Sequence, residues 1–144
     1  MAYKHTIEFE LRVLNNMIHR QIIASDNIKR VDELTGATGW LIGYLIHNRD
    51  RDIFQKDIEK EFSIRRSTAS KALSIMEDKG LIRRESVDYD ARLKKLVLTD
   101  RAIELNKLIE ADIIEIDKKM TAGLTDEEIN TFIATIQKIK KNLE

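Results

Sequence analysis

The residues best equipped for chemistry sit in one short run. Arg65-Arg66-Ser67-Thr68-Ala69-Ser70-Lys71-Ala72 sets two guanidinium groups beside three hydroxyls and an ammonium. No nucleophile–base pairing accompanies them, so covalent catalysis is not what this run suggests. Recognition is. A guanidinium can grip guanine O6 and N7 as a fork, and hydroxyls can bond base edges or phosphates. A second polar cluster follows at Asp88, Asp90, Arg92, Lys94 and Lys95. There an arginine on a hairpin tip could enter a narrow minor groove, aimed by a neighbouring carboxylate.

The charge balance sharpens this. The chain of 144 residues carries 25 basic and 25 acidic side chains, so no global field points to a partner. Between residues 63 and 84, however, Arg65, Arg66, Lys71, Lys79, Arg83 and Arg84 face only Glu77 and Asp78, a local charge of +4. A neutral total thus hides a basic segment and an acidic remainder.

The elements that position these groups follow from periodicity. Ile7, Leu11, Leu14, Ile18 and Ile22 recur every three or four residues and predict a helix over residues 5–30. A second helix is expected from a cap at Thr35 to about Asn48, with Gly36, Gly39 and Gly43 marking close packing. A short third helix covers residues 55–62, and a fourth covers 66–79 and stops at Gly80. The period then changes. Residues 81–87 and 94–98 read as a hairpin whose loop is longer than a tight turn. Two long helices end the chain, one over 100–122 and one opened by the capping box Thr125-Asp126-Glu127-Glu128. The expected class is mainly α: a winged helix-turn-helix of about six helices with a two-stranded β wing.

On a wheel of about 100° per residue, Ala69, Ala72, Leu73 and Met76 share the inner face of the fourth helix. Ser67, Lys71 and Ser74 point away, flanked by Arg66, Thr68 and Ser70. Small hydroxyl residues permit close approach to the floor of a major groove, and the helix start favours phosphate. A charged, serine-rich face is equally compatible with plain solvation. Arg92 and its loop, taken together with this helix, weigh against that.

The run from Ile58 to Thr99 resembles the MarR family of bacterial transcription regulators. Thr68, Ser70 and Leu73 match its T-x-S-x-x-L, and Met76, Glu77, Gly80, Leu81 and Ile82 match the following M-E-x-x-G-L-I. Asp90 and Arg92 match the wing's D-x-R, and Leu98 and Thr99 its end. The segment from Leu34 to Leu45 is similar to the family's second helix. Arg65 departs from a serine common there, and Ser67 from a proline; arginine cannot cap a helix, which leaves Ser63 or Ser67 to do so.

The resemblance implies a sequence-specific double-stranded DNA-binding transcription regulator, a repressor released by a small-molecule effector. It implies a single unit over 1–144, with residues 34–99 as the DNA-binding module. Residues 1–33 and 100–144 would be dimerisation helices of a homodimer on a pseudo-palindromic operator. The DNA-binding residues would be Arg65, Arg66, Ser67, Thr68, Ser70, Lys71, Ser74, Asp90, Arg92 and Lys94. A small aromatic effector would meet Asn15, Asn16 and His19 on the first helix and Trp40 and Tyr44 on the second; the alternative is that both rings are core.

Other classes receive less support. His5, His19 and His47 are scattered without metal-ligand spacing, there is no cysteine, and no phosphate-cradling loop is present. No cofactor, metal site or enzymatic activity is expected. A helical protein-interaction adaptor, using the winged module without DNA, is the alternative function. No apolar run is long enough to span a bilayer. The first ten residues, with Lys4, His5, Glu8 and Glu10, do not read as a secretory signal, so no membrane partner and a cytoplasmic location are expected.

Overall fold

In the computed structural model, residues 5–144 are described; Lys4, part of the N-terminal reading, lies outside them. Among these residues are seven helices and one hairpin. Helix α1, Ile7–Ala24, opens on Thr6, whose hydroxyl accepts from the Phe9 amide at 3.2 Å. The single helix predicted over 5–30 is two. Ser25 takes extended backbone angles, ends α1 and caps α2, Asp26–Thr35, accepting from the Ile28 amide at 3.1 Å. The apolar stripe continues across this break through Ile28 and Val31, which is why periodicity alone conceals it.

Thr35 does not cap the next helix. It is the last residue of α2 and is buried; its carbonyl accepts a 2.7 Å hydrogen bond from the Thr38 hydroxyl. The chain then turns through Gly36 and Ala37, both left-handed with φ of 62° and 63°, into α3, Gly39–His47. Of the three glycines expected in close packing, only Gly36 is. A Cβ there would lie 2.8 Å from Ile75 Cγ2, whereas one on Gly43 would meet nothing within 4 Å.

Helices α4, Gln55–Glu61, and α5, Arg66–Asp78, lead to strands β1, Ile82–Val87, and β2, Asp90–Leu98. The strands pair antiparallel from Ile82 with Leu98 to Ser86 with Lys94, and then Val87 pairs with Asp90. Helices α6, Asp100–Thr121, and α7, Asp126–Asn142, finish the chain. Thr125 and Glu128 exchange hydrogen bonds of 3.1 and 3.2 Å, the capping box expected at the start of α7.

The core gathers Leu41, Ile42 and Leu45 of α3, Ile58 of α4, and Ala69, Leu73 and Met76 of α5. Leu81, Ile82 and Leu96 of the hairpin region and Ala102 of α6 complete it. The described residues through Asp112 form one compact unit, and Ile113–Glu144 a second. Among the described residues, α1 and α7 bury none of their own.

Candidate nucleic-acid interface

Helix α5 presents the two faces its sequence predicts. Ala69, Leu73 and Met76 are fully buried, while Arg66, Ser67, Thr68, Ser70, Lys71 and Ser74 are exposed. Packing the small Ala69 against the core seats the helix firmly, so the outward hydroxyls are carried on a rigid element. Arg65 stands at the N-cap in extended conformation, and no side chain caps the helix. Ser63 is not the cap, because it turns left-handed at φ 49° between α4 and α5. Ser67 lies inside the first turn. The amides of that turn, with the partial positive charge of the helix start, therefore face outward for an anionic group.

The wing corrects one expectation. Its turn is tight, with only Asp88 and Tyr89 between the paired Val87 and Asp90. The extra residues sit instead in β2, where Ala91, Arg92 and Leu93 bulge out before Lys94 pairs with Ser86. Arg92 rides on this bulge rather than on the turn. Asp90 aims it: Oδ1 accepts from the Arg92 amide at 2.9 Å and from Nε at 3.2 Å, and Oδ2 accepts from Nη2 at 3.1 Å. The Arg92 side chain remains 90% exposed, with guanidinium hydrogens left to donate outward. Those side-chain and backbone bonds from Arg92, helped by the charge of Lys56, hold the Asp90 carboxyl below its ordinary pKa. Lys94 donates to the Ser86 hydroxyl across the strands at 2.6 Å.

The segment before α4 braces the wing. Asp52 accepts from the Tyr89 hydroxyl at 3.0 Å and pairs with Lys95 at 3.7 Å. The Leu96 amide donates to the Ile53 carbonyl at 2.8 Å. Desolvation, then the bond to Asp52 and its charge, raise the Tyr89 pKa, so the hydroxyl stays a donor at neutral pH.

These braces bring helix start and wing to one place. Arg66, Arg84, Arg92 and Lys94 line a groove of about 410 Å³ together with Gln55, Lys56 and Glu59 of α4. Five cations thus surround one carboxylate in a cleft open to solvent. Arg84 also pairs with Glu77 of α5. Arg65, Ser67, Thr68, Ser70, Lys71 and Ser74 continue the surface along α5 outside the groove, and Asp90 supports it from behind Arg92. Sequence reasoning missed Lys56 and gave Arg84 no role. A lysine in the exposed first turn of the helix before α5 was the available signal for the first; only the fold places the second.

The proposed effector residues fall in two groups. Trp40 and Tyr44 meet Phe62 edge-on, with centroids 4.6 and 5.3 Å away, and the Tyr44 hydroxyl accepts from Arg51 at 3.1 Å. Asn15, Asn16 and His19 stand exposed on α1. Among the described residues no three His, Asp or Glu side chains converge as metal ligands would. No helix among them is long and apolar enough to cross a membrane.

Comparison with known proteins adds a lineage to this geometry. The MarR family model matches residues 33–93, which span α3–α5 and most of the wing. The solved transcription regulator MarR from Oenococcus oeni PSU-1 is 33% identical, with 94% of this chain and 99% of that one covered and a TM-score of 0.80. The S. aureus MepR–DNA complex is similar in fold, at 23% identity, 99% and 100% coverage and a TM-score of 0.81. The heme sensor protein PefR from Streptococcus agalactiae, solved with heme, is 29% identical, at 96% and 94% coverage and a TM-score of 0.58.

Proposed function

The chain belongs to the MarR family and is a DNA-binding transcription regulator; from that premise we propose that it is a homodimeric repressor of a pseudo-palindromic operator. The observation that carries this reading is the groove in which Arg66 of the helix start meets Arg92 and Lys94 of the wing, with Lys56 and Arg84 beside them. Cations at that density suit a phosphate backbone. Along α5, Ser67, Thr68, Ser70, Lys71 and Ser74 then read base edges in the major groove, and Arg92 enters the minor groove alongside. The fold of the S. aureus MepR–DNA complex supports this placement. It also disfavours the adaptor reading, which gives the basic groove no ligand.

Residues 34–99 supply the reading head, and residues 1–33 and 100–144 join two heads. Support for the division lies in apolar side chains with no cover in the single chain. On α1 these include Leu11, Leu14 and Met17; on α6 and α7 they include Leu108, Ile113, Phe132 and Ile133. Exposed apolar area on this scale marks an interaction surface. A two-fold dimer would set its α5 helices about 34 Å apart, one turn of DNA. Release follows when a small aromatic effector, held by Asn15, Asn16 and His19 with Trp40 and Tyr44, binds the non-reading dimer shape more tightly than the reading one. The protein acts in the cytoplasm, where its operator is, and carries no catalytic role.

Selection of bound fragments from random duplex DNA tests the proposal. An inverted repeat with half-sites one helical turn apart is expected. Enrichment of a single half-site, or of none, would refute the dimeric reading.

A further inference from the structure

We propose that Ser25 and Asp112 are positioning residues for DNA reading: helix α2 is a strut that sets the angle of α5, and their hydrogen bond fixes the strut's far end. This rests on the reading of α5 as the helix that enters DNA.

The outer end of α2 is held by a directional knot. A serine hydroxyl has one proton, and Ser25 donates it to Asp112 Oδ2 of α6 at 2.7 Å, while the same Oγ accepts the Ile28 amide at 3.1 Å. Asn27 Nδ2 donates to that Asp112 oxygen at 3.2 Å. The carboxylate also lies at the positive end of the α2 dipole. Three favourable features therefore converge on one residue, 87 positions along the chain from Ser25.

The body of the strut is stiff. Its ten residues span about 15 Å, and Ile28, Val31 and Thr35 bury one continuous face. Its inner end has no clearance. Gly36 adopts φ 62°, and even a Cβ on it would fall 2.8 Å from Ile75 Cγ2, a side chain of α5. A shift of α2 is thereby passed to α5, because packed interiors transmit displacement. Ile75 is half-buried on the side of α5 away from Ser67, so a push there tilts the hydroxyl face.

The test compares affinity for a duplex recovered in the selection above with affinity for a scrambled duplex of equal length. Ser25→Asp keeps a good helix cap but has no proton to donate at neutral pH and sets a charge against Asp112. Asp112→Ala removes the acceptor, and Asp112→Asn guards against misfolding of the alanine variant. Ser25→Asp and Asp112→Ala should each lower the ratio of selected to scrambled affinity about tenfold, within the range of mutations that change coupling. Scrambled binding, which depends on charge, should change little. The Ser25→Ala/Asp112→Ala pair should be non-additive in that ratio, as for two ends of one contact. A role in folding alone would move the melting midpoint and leave the ratio intact, which would overturn the proposal. A parent chain that prefers no duplex would overturn the reading of α5 itself.

Discussion

Helices α5 and α7 are both amphipathic, yet the fold uses their opposite faces. In α5 the apolar side is consumed within the chain, with Ala69, Leu73 and Met76 fully buried. Its polar side is what remains to meet a partner. In α7 no residue is buried among the described ones, and Phe132 and Ile133 are 52% and 53% exposed. There the apolar side remains. A helix whose hydrophobic face is covered can act through hydrogen bonds and charge; one whose hydrophobic face is bare acts by covering it. The first suits a reader of DNA and the second suits a partner helix.

Breaking the α7 side should have the largest effect. Replacing Phe132 and Ile133 by glutamate should leave the winged module folded but separate the two heads, costing about 10²–10⁴-fold in affinity for a two-half-site duplex. Sedimentation would show monomers, and anisotropy the lost affinity. Next is the inner face of α5. Leu73→Ala should lower unfolding free energy by about 2–5 kcal/mol in urea titration, a loss that Phe132→Ala, acting on an exposed ring, should not match in a monomeric variant.

The outward face comes third. Arg92→Ala should weaken binding to every duplex and reduce the salt slope by about one for each wing. Substitutions of Arg66 or Ser67 should instead change which sequence is preferred, by about 1–3 kcal/mol per lost bidentate contact. If Arg92→Ala binds like the parent, the wing does not touch DNA.

Two smaller effects sharpen the picture of the reading head. Ser63→Gly, relieving a left-handed serine between α4 and α5, should raise stability by about 1 kcal/mol or less, read from the thermal midpoint. Acid should act on the Asp90–Arg92 pair last. Because the folded pKa of Asp90 is depressed, its contribution is complete above the ordinary aspartate value of about 3.9 and is lost as pH falls through the folded value. Carboxyl NMR should therefore show the wing unchanged from pH 7 to about 5.

How much of this was legible depended on whether neighbours in sequence or in space decide the outcome. The two faces of α5 follow from spacing alone, since Ala69, Leu73 and Met76 recur at helical intervals. The α7 capping box is equally local. The break at Ser25 was hidden because apolar spacing runs through it, although Ser-Asp-Asn is a good helix start. Thr35 looked like a cap for what followed, but a left-handed Gly36 makes it the end of what preceded. The bulge that carries Arg92 was unreadable, because strand register is set by the partner strand. Lys56 and Arg84 join the groove only once α4, α5 and the wing are assembled.

The most direct measurement of the claim that helix start and wing form one DNA-facing surface is duplex anisotropy across a salt series. For a dimer neutralising about ten phosphates, the logarithm of affinity should fall against the logarithm of salt with a slope near −9. An affinity indifferent to salt would contradict it.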